Sequence, residues 1–170
     1  MANDIQRKVR ARALDARKFL EFGEVVTYNA EGGRHMIDAV FEMDLKVTEP
    51  RFWVNALPST PPDQILIKAL EQHPYSSQTF IPLGITTCMA VVCGTAEDGG
   101  PDLEQLKAFL VPPGKGICYN RGTWHSGFMS IGKPNEVAVI MGLSGGLADT
   151  RIIDIGAEVI MDCLFEGAAR

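Results

Sequence analysis

Two short segments of this 170-residue chain hold the side chains whose types and spacing suit chemistry. Glu71, His73 and Gln78 stand close together in the first segment, and His125 stands in the second. Residues two apart on a strand share one face, so Glu71 and His73 are expected to point the same way. Imidazole nitrogens with carboxylate and amide oxygens form a credible ligand set for a divalent ion such as Ni²⁺, Zn²⁺ or Mn²⁺.

A metal site formed by His73, Gln78 and His125 is one interpretation of these segments. The alternative is structural: His73 bonds its own loop, and Gln78 satisfies a turn. The metal interpretation requires the two segments to face each other across a barrel, so that the ligands share a small polar site on rigid walls. Trp124 and His125 are neighbours on a strand and should point to opposite sides of it. No organic cofactor is expected.

Short strands dominate the pattern that has to position these residues. Apolar runs alternate with Gly, Pro, Asn and Asp at regular spacing, which indicates an all-β sandwich or barrel. Two short helices are predicted beside the strands, one capped by Asp15 and running through Phe22, the other from Leu103 to Phe109. The predicted strands are Glu24–Tyr28, Met36–Phe41, Arg51–Ala56, Ile65–Glu71, Thr79–Pro82, Thr86–Thr95, Ile117–Tyr119, Val137–Leu143 and Thr150–Ile155.

Length and charge predict one domain over residues 1–170, with a basic N-terminal arm at residues 1–12. The arm and the helix after it hold six of the 16 basic residues, which suits either an anion- or partner-binding segment or a solvated face. The net charge of −5 gives no reason to expect nucleic acid. No apolar run approaches the roughly 20 residues of a membrane helix, and no secretory signal is visible, so a cytoplasmic protein without membrane contact is expected.

The four cysteines are Cys88, Cys93, Cys118 and Cys163, and they form no Cys-x-x-Cys pair. A zinc knuckle or a disulfide framework is therefore not expected. Buried, reduced cysteines that pack as small apolar side chains are the better interpretation.

Four motifs of the chain resemble those of one enzyme family. Residues 71–82, Glu-Gln-His-Pro-Tyr-Ser-Ser-Gln-Thr-Phe-Ile-Pro, resemble the Glu-x-His-Pro-x-x-Ser-Gln-x-Phe-x-Pro signature of ureidoglycolate lyases. Residues 116–125 are similar to that family's Gly-[Val/Ile]-x-Tyr-x-x-x-x-Trp-His motif, and residues 101–109 to its Pro-Asp-Leu-x-x-Leu-[Arg/Lys]-Ala-Phe segment. Residues 19–26 resemble its Phe-x-x-[Tyr/Phe]-Gly-[Asp/Glu]-Val-Ile opening.

The resemblance implies a cupin-type double-stranded β-helix, which is a jelly-roll barrel, and a homodimer. It also implies a lyase that cleaves a small molecule, ureidoglycolate, to glyoxylate and urea in the breakdown of allantoin and other purine products. A divalent metal, often nickel, accompanies the family.

Candidate roles follow from the chemistry of that substrate, a carbinolamine with an α-carboxylate. A base must remove the hydroxyl proton, and an acid must protonate the departing nitrogen. His125 or Glu71 is the candidate base, and Tyr119 is the candidate proton donor. Arg121 is a candidate for holding the carboxylate through a bidentate contact. Packing of Tyr119 in the sheet and solvation of Arg121 in its turn are the structural alternatives.

The chain departs from the family pattern at three places. Asn55 and Ser144 stand where the family has arginines, and Ser126-Gly127 replaces a His-Pro pair. Asn55 and Ser144, with Gln78, are therefore candidate substrate contacts of altered character, since arginine is not easily replaced as a carboxylate partner. Besides the lyase, two alternatives stay open: a diverged cupin enzyme acting on another small molecule, and a non-catalytic cupin that binds a metabolite or a partner protein.

Overall fold

The computed structural model describes residues 7–28 and 33–161, and thirteen β-strands dominate them. One turn of α-helix, α1 (Ala16–Phe19), and three 3-10 turns complete the regular structure of this part of the chain. The strands are β1 (Arg7–Ala13), β2 (Gly23–Val26), β3 (Glu49–Leu57), β4 (Ser59–Thr60), β5 (Ile65–Gln72), β6 (Gln78–Pro82), β7 (Cys88–Cys93), β8 (Lys107–Val111), β9 (Gly116–Tyr119), β10 (Trp124–His125), β11 (Met129–Ile131), β12 (Asn135–Leu143) and β13 (Arg151–Ile160).

The strands form two sheets. The larger has the order β10-β5-β13-β1-β8-β7-β11-β4, and β10 also pairs with β7. That additional pairing closes six of its strands into a ring. The smaller sheet has the order β2-β9-β6-β12-β3 and packs against the outside of the ring. The prediction of an all-β jelly-roll barrel is confirmed.

Two apolar cores result, and β7 contributes to both. Its six residues are all buried, because alternate side chains point into the ring and towards the smaller sheet. Met89, Val91 and Cys93 pack inside the ring with Trp124. Cys88, Ala90 and Val92 instead belong to the core between the sheets, which also contains Phe19, Phe22, Phe80, Phe109, Ile117, Tyr119, Phe128, Val137 and Val139.

The second predicted helix is wrong. Only Leu103–Gln105 forms a 3-10 turn, for which the Asp102 side chain accepts a hydrogen bond from the Glu104 backbone N–H. Lys107–Val111 is strand β8, paired with β7 and β1. Four of its five residues are buried, on both faces of the strand. The spacing of the leucines matched a helix by coincidence, because a strand buried on both sides shows no alternation.

Two further predictions differ from the structure. The predicted strand at Met36–Phe41 is instead a 3-10 turn, Asp38–Phe41, with no buried residue. The helix after Asp15 is shorter than expected, since it ends at Phe19 and Gly23 already begins β2. The Asp15 side chain does cap it, accepting from the backbone N–H groups of Arg17 and Lys18.

The predicted basic arm is, from residue 7 onward, strand β1. It runs parallel to β13 and β8 inside the larger sheet, so its alternating apolar residues are core positions. Ala11 is buried, while the basic residues between the apolar ones lie on the outside of the ring. The segment is therefore a structural strand with a charged outer face, and residues 1–6 lie outside the described part.

The three described cysteines, Cys88, Cys93 and Cys118, are free and buried. Burial raises the pKa of Cys88 to about 11 and that of Cys93 to about 12. Cys163 lies outside the described residues. Within the described residues, no helix has the length and apolar character needed to cross a membrane.

Candidate active site

The two polar segments meet because β5 and β10 are direct neighbours. Glu71 on β5 stands opposite His125 on β10, so the two side chains share one face of the sheet. His73 follows the end of β5, and Gln78 begins β6 on the facing sheet. The sheets thus bring together the four predicted metal and base candidates, which share one polar cluster.

The atoms of the cluster lie within contact distance of one another. Glu71 Oε1 is 3.3 Å from His125 Nε2 and 3.8 Å from His73 Nε2. Gln78 Oε1 is 3.0 Å from the same His125 Nε2. Both histidines are buried, whereas the Glu71 side chain keeps 29% of its surface exposed. The carboxylate is therefore the member of the cluster that solvent and small molecules reach.

Backbone carbonyls orient both imidazole rings. His125 Nδ1 lies 2.9 Å from the Thr123 carbonyl oxygen, and His73 Nδ1 lies 3.1 Å from that of Asp149. A carbonyl oxygen can only accept, so these two contacts are hydrogen bonds in the tautomer that carries the ring proton on Nδ1. The unprotonated Nε2 atoms then face the carboxylate. This arrangement, in which Nδ1–H is held by a carbonyl and Nε2 is free, is the one that metal-ligating histidines use.

The charges of the cluster call for a cation. The contact of the carboxylate with His125, and then that with His73, lowers the pKa of Glu71 well below its usual range, so the carboxylate is ionised at neutral pH. Burial lowers the pKa of His125, which disfavours a charged ring. With neutral rings, lone pairs of two nitrogens and two oxygens converge, and they repel unless a positive ion lies between them.

The geometry fits a single divalent ion. Ligand atoms that share an ion at about 2.0–2.2 Å lie roughly 3–4 Å apart. The Glu71 oxygen lies at such distances, 3.3 and 3.8 Å, from the Nε2 atoms of His125 and His73. All three ligand atoms lie within 4.8 Å of one another. His73 Nε2 is buried and has no hydrogen-bond partner among the described residues, which leaves its lone pair available.

Tyr119 packs against the cluster. Its ring stacks on the His125 ring with centroids 4.2 Å apart and an interplanar angle of 25°. The hydroxyl is fully buried and has no hydrogen-bond partner within the described part of the chain. Burial and then the Glu71 charge raise the pKa of Tyr119, so the phenol stays protonated at neutral pH. The phenol is therefore protonated and unpartnered among the described residues, and its ring contacts that of His125.

The three remaining predicted contacts lie elsewhere or are engaged. The guanidinium of Arg121 pairs with Asp44, with a nitrogen–oxygen distance of 3.3 Å. Ser144 donates its hydroxyl hydrogen to Asp149 at 2.5 Å. Asn55 is exposed on the edge strand β3, opposite Val137.

Ser144 helps to position the cluster, which the sequence did not indicate. Its hydroxyl and backbone N–H both hold the carboxylate of Asp149, whose own carbonyl accepts from His73. Thr150 Oγ1 lies 3.2 Å from the same His73 nitrogen. Sequence reasoning missed Thr123 and Asp149, because a backbone carbonyl can come from any residue type. Met141 was also missed; its sulfur accepts from the Gln78 amide at 3.5 Å.

A jelly-roll barrel that holds a Glu-His-His-Gln cluster between its sheets defines a cupin-type protein. The family model for ureidoglycolate lyase matches residues 6–157, so the chain belongs to the ureidoglycolate lyase family, which is a family of enzymes. It is 29% identical over 157 residues to a putative ureidoglycolate lyase of Agrobacterium fabrum, with 91% of this chain and 94% of that protein covered.

Two further similarities were found. A ureidoglycolate lyase of Mesorhizobium japonicum is 30% identical over 145 residues, which cover 78% of this chain and 85% of that protein. Among solved structures, RmlC from Streptococcus suis in complex with dTDP-D-xylose aligns with a TM-score of 0.43 and 12% identity. That alignment covers 58% of this chain and 46% of RmlC.

Proposed function

We propose that this protein is a ureidoglycolate lyase, which cleaves ureidoglycolate to glyoxylate and urea in purine degradation. The observation that carries the proposal is the convergence of Glu71, His73, Gln78 and His125 in a member of this family. The substrate needs an electrostatic anchor, one base and one acid, and the cluster offers candidates for the latter two within one small site.

The donor atoms of His73, Gln78 and His125 would hold a divalent ion, with Ni²⁺, Zn²⁺ and Mn²⁺ as candidates. When bound, such an ion lowers the pKa of a coordinated hydroxyl and fixes the substrate. His73 and His125 keep their Nε2 lone pairs towards that position, because the carbonyls of Asp149 and Thr123 hold their Nδ1 protons.

Glu71 acts as the base and Tyr119 as the acid. The ionised, partly exposed Glu71 carboxylate takes the hydroxyl proton while the carbon–nitrogen bond breaks and the carbonyl of glyoxylate forms. Tyr119 donates its hydroxyl proton to the departing urea nitrogen. The proton held by Glu71 afterwards restores the phenol, so the reaction is proton-neutral. Each proton transfer increases the reaction rate by roughly 10²–10⁴-fold.

The test is release of glyoxylate from racemic ureidoglycolate by the pure protein, with and without added Ni²⁺, Mn²⁺ or Zn²⁺. Turnover above the spontaneous rate is expected, and its loss in a His73→Ala/His125→Ala double variant. His35→Ala is the matched control, since His35 bonds the Thr27 carbonyl away from the cluster. A wild-type rate equal to the background under every metal condition would refute the lyase.

Elemental analysis of the same samples tests the metal separately. We expect near-stoichiometric metal in the wild type and in His35→Ala, and its loss in the double variant. Equal metal contents in all three proteins would remove His73 and His125 as ligands. Binding of glyoxylate without any turnover would favour the non-catalytic alternative, and turnover of a different carbinolamine would favour the diverged enzyme.

The protein is further proposed to be a cytoplasmic homodimer. In the described part of the chain, β3 pairs only with β12, and the side chains of Phe52 and Val54 on it are mostly exposed. A long edge strand of this kind is a pairing site for a second copy. Light scattering of the purified protein at micromolar concentration should give twice the mass of 18.5 kDa. A monomer mass would contradict this.

A further inference from the structure

We infer that Arg51 is the carboxylate anchor of this site and therefore sets its preference for an anionic substrate. The inference rests on the proposed function for the identity of the substrate. Its physical basis is independent of turnover, because it concerns where a cation stands relative to the cluster. None of the site residues predicted from the sequence supplies a cationic side chain to the cluster.

Strand register places Arg51 in line with the site. Tyr119 on β9 stands opposite Gln78 on β6, and Gln78 stands opposite Met141 on β12. Met141 in turn stands opposite Arg51 on β3. The β3–β12 pairing continues through nine consecutive residue pairs without a shift, so this register is firmly set. Four residues thus form one row across the smaller sheet.

All four side chains lie on the face that carries the cluster. Directly opposed residues in an antiparallel pair share a face. Tyr119 stacks on His125, Gln78 faces the same ring, and Met141 accepts from the Gln78 amide. Arg51 is the next member and continues the row to the sheet edge. Its contact with Glu49, two residues away on the same strand, agrees with that orientation.

Distance favours Arg51 over the other candidates. Adjacent strands are about 4.8 Å apart, so the Arg51 backbone is roughly 10 Å from that of Gln78. An arginine can lay its aliphatic stem along an apolar neighbour, here Met141, and project its guanidinium beyond it. Asn55 lies four residues further along β3, about 13 Å away from this row. Arg121 is paired with Asp44, and the side chains of that pair are less exposed than those of Arg51 and Glu49.

The guanidinium of Arg51 can exchange its partner. Its side chain is 56% exposed, and that of Glu49 is 47% exposed. Exposed pairs of this kind contribute little to stability. A substrate carboxylate that is also held at the cluster can therefore replace Glu49 on Arg51. The planar fork of arginine matches such a carboxylate through two parallel hydrogen bonds.

Calorimetric titration with glyoxylate tests the anchor on the purified protein. Arg51→Gln should weaken glyoxylate binding by about 10- to 100-fold, as expected for loss of a charge-assisted bidentate contact. Arg121→Gln, the matched control, should bind as the wild type does. Metal content and melting temperature should be the same in all three proteins, which separates anchoring from a structural role.

Steady-state kinetics give the second readout. Arg51→Gln should raise the KM for ureidoglycolate by a similar factor, with kcat changed by less than about threefold, because the anchor acts on ground state and transition state alike. Equal glyoxylate affinity in wild type and Arg51→Gln would overturn the inference, and so would a wild type that does not bind glyoxylate. A wild type that binds glyoxylate but releases none from ureidoglycolate refutes the lyase alone.

Discussion

Replacing Tyr119 by phenylalanine should lower the activity and leave the stability of the fold unchanged or slightly increased. The hydroxyl is buried, and it lacks a hydrogen-bond partner in the described part of the protein. Removing an unpaired buried polar group relieves its desolvation cost, so truncation is neutral or stabilising. The ring itself contacts His125, Phe19 and Phe80, and phenylalanine keeps all three ring contacts.

The two effects have opposite signs and different sizes. The free energy of unfolding should stay within about 1 kcal/mol of the wild type or rise, which for a chain of this size is a shift in melting temperature of roughly 2–4 °C at most. Loss of the proton donor should reduce kcat by about 10²–10⁴-fold. If Tyr119 only packed in the sheet, its replacement by phenylalanine would not cause the large loss of kcat at unchanged or increased stability.

Initial rates of glyoxylate release and thermal unfolding on the same preparations measure both quantities. Tyr28→Phe is the control, because the Tyr28 side chain is exposed and has no part in the proposed mechanism. If Tyr119→Phe keeps its full kcat, Tyr119 is not the proton donor. If it instead loses more than about 1 kcal/mol of stability, the hydroxyl has a partner and the reasoning from its burial is wrong.

Glu71→Gln should keep the shape of the site but remove the base, reducing kcat by about 10²–10⁴-fold. Gly23→Ala should lower the free energy of unfolding by about 1–3 kcal/mol, or more, because a Cβ there would lie 2.0 Å from the Cys118 backbone oxygen. In a Cys163→Ala variant no thiol should react with Ellman's reagent at pH 8 before unfolding. With a thiol pKa near 12, Cys93 has a thiolate fraction of only about 10⁻⁴ at that pH.

The first two of these predictions have matched control variants. Glu21→Gln removes an exposed carboxylate that pairs with Lys107, and it should retain full activity. Gly94→Ala adds a Cβ with no atom within 4 Å, and it should change stability little. Equal losses in Gly94→Ala and Gly23→Ala would show that the close approach to Cys118 is not the cause. Rapid thiol labelling of the folded Cys163→Ala protein would contradict the burial of the described cysteines.

The sequence predicted the strands that carry their own signal. β5, β6, β9 and β12 lie within two residues of where β-branched runs and turn residues placed them. It failed for β8, because a strand buried on both faces has no alternation, and its leucine spacing also fits a helix. It predicted a basic arm where β1 lies, because the basic residues on one face of this strand are more conspicuous in the sequence than the apolar residues that alternate with them.

The chain by itself determined which residue types are available for chemistry: two histidines, a glutamate and a glutamine in two segments, and a tyrosine near the second. Only the tertiary structure decided how they are used. Pairing of β5 with β10 sets Glu71 against His125, and backbone carbonyls, which have no sequence signature, fix the imidazole tautomers. Strand register likewise aligns Arg51 with the site, since a shift of one residue would turn its side chain to the other face.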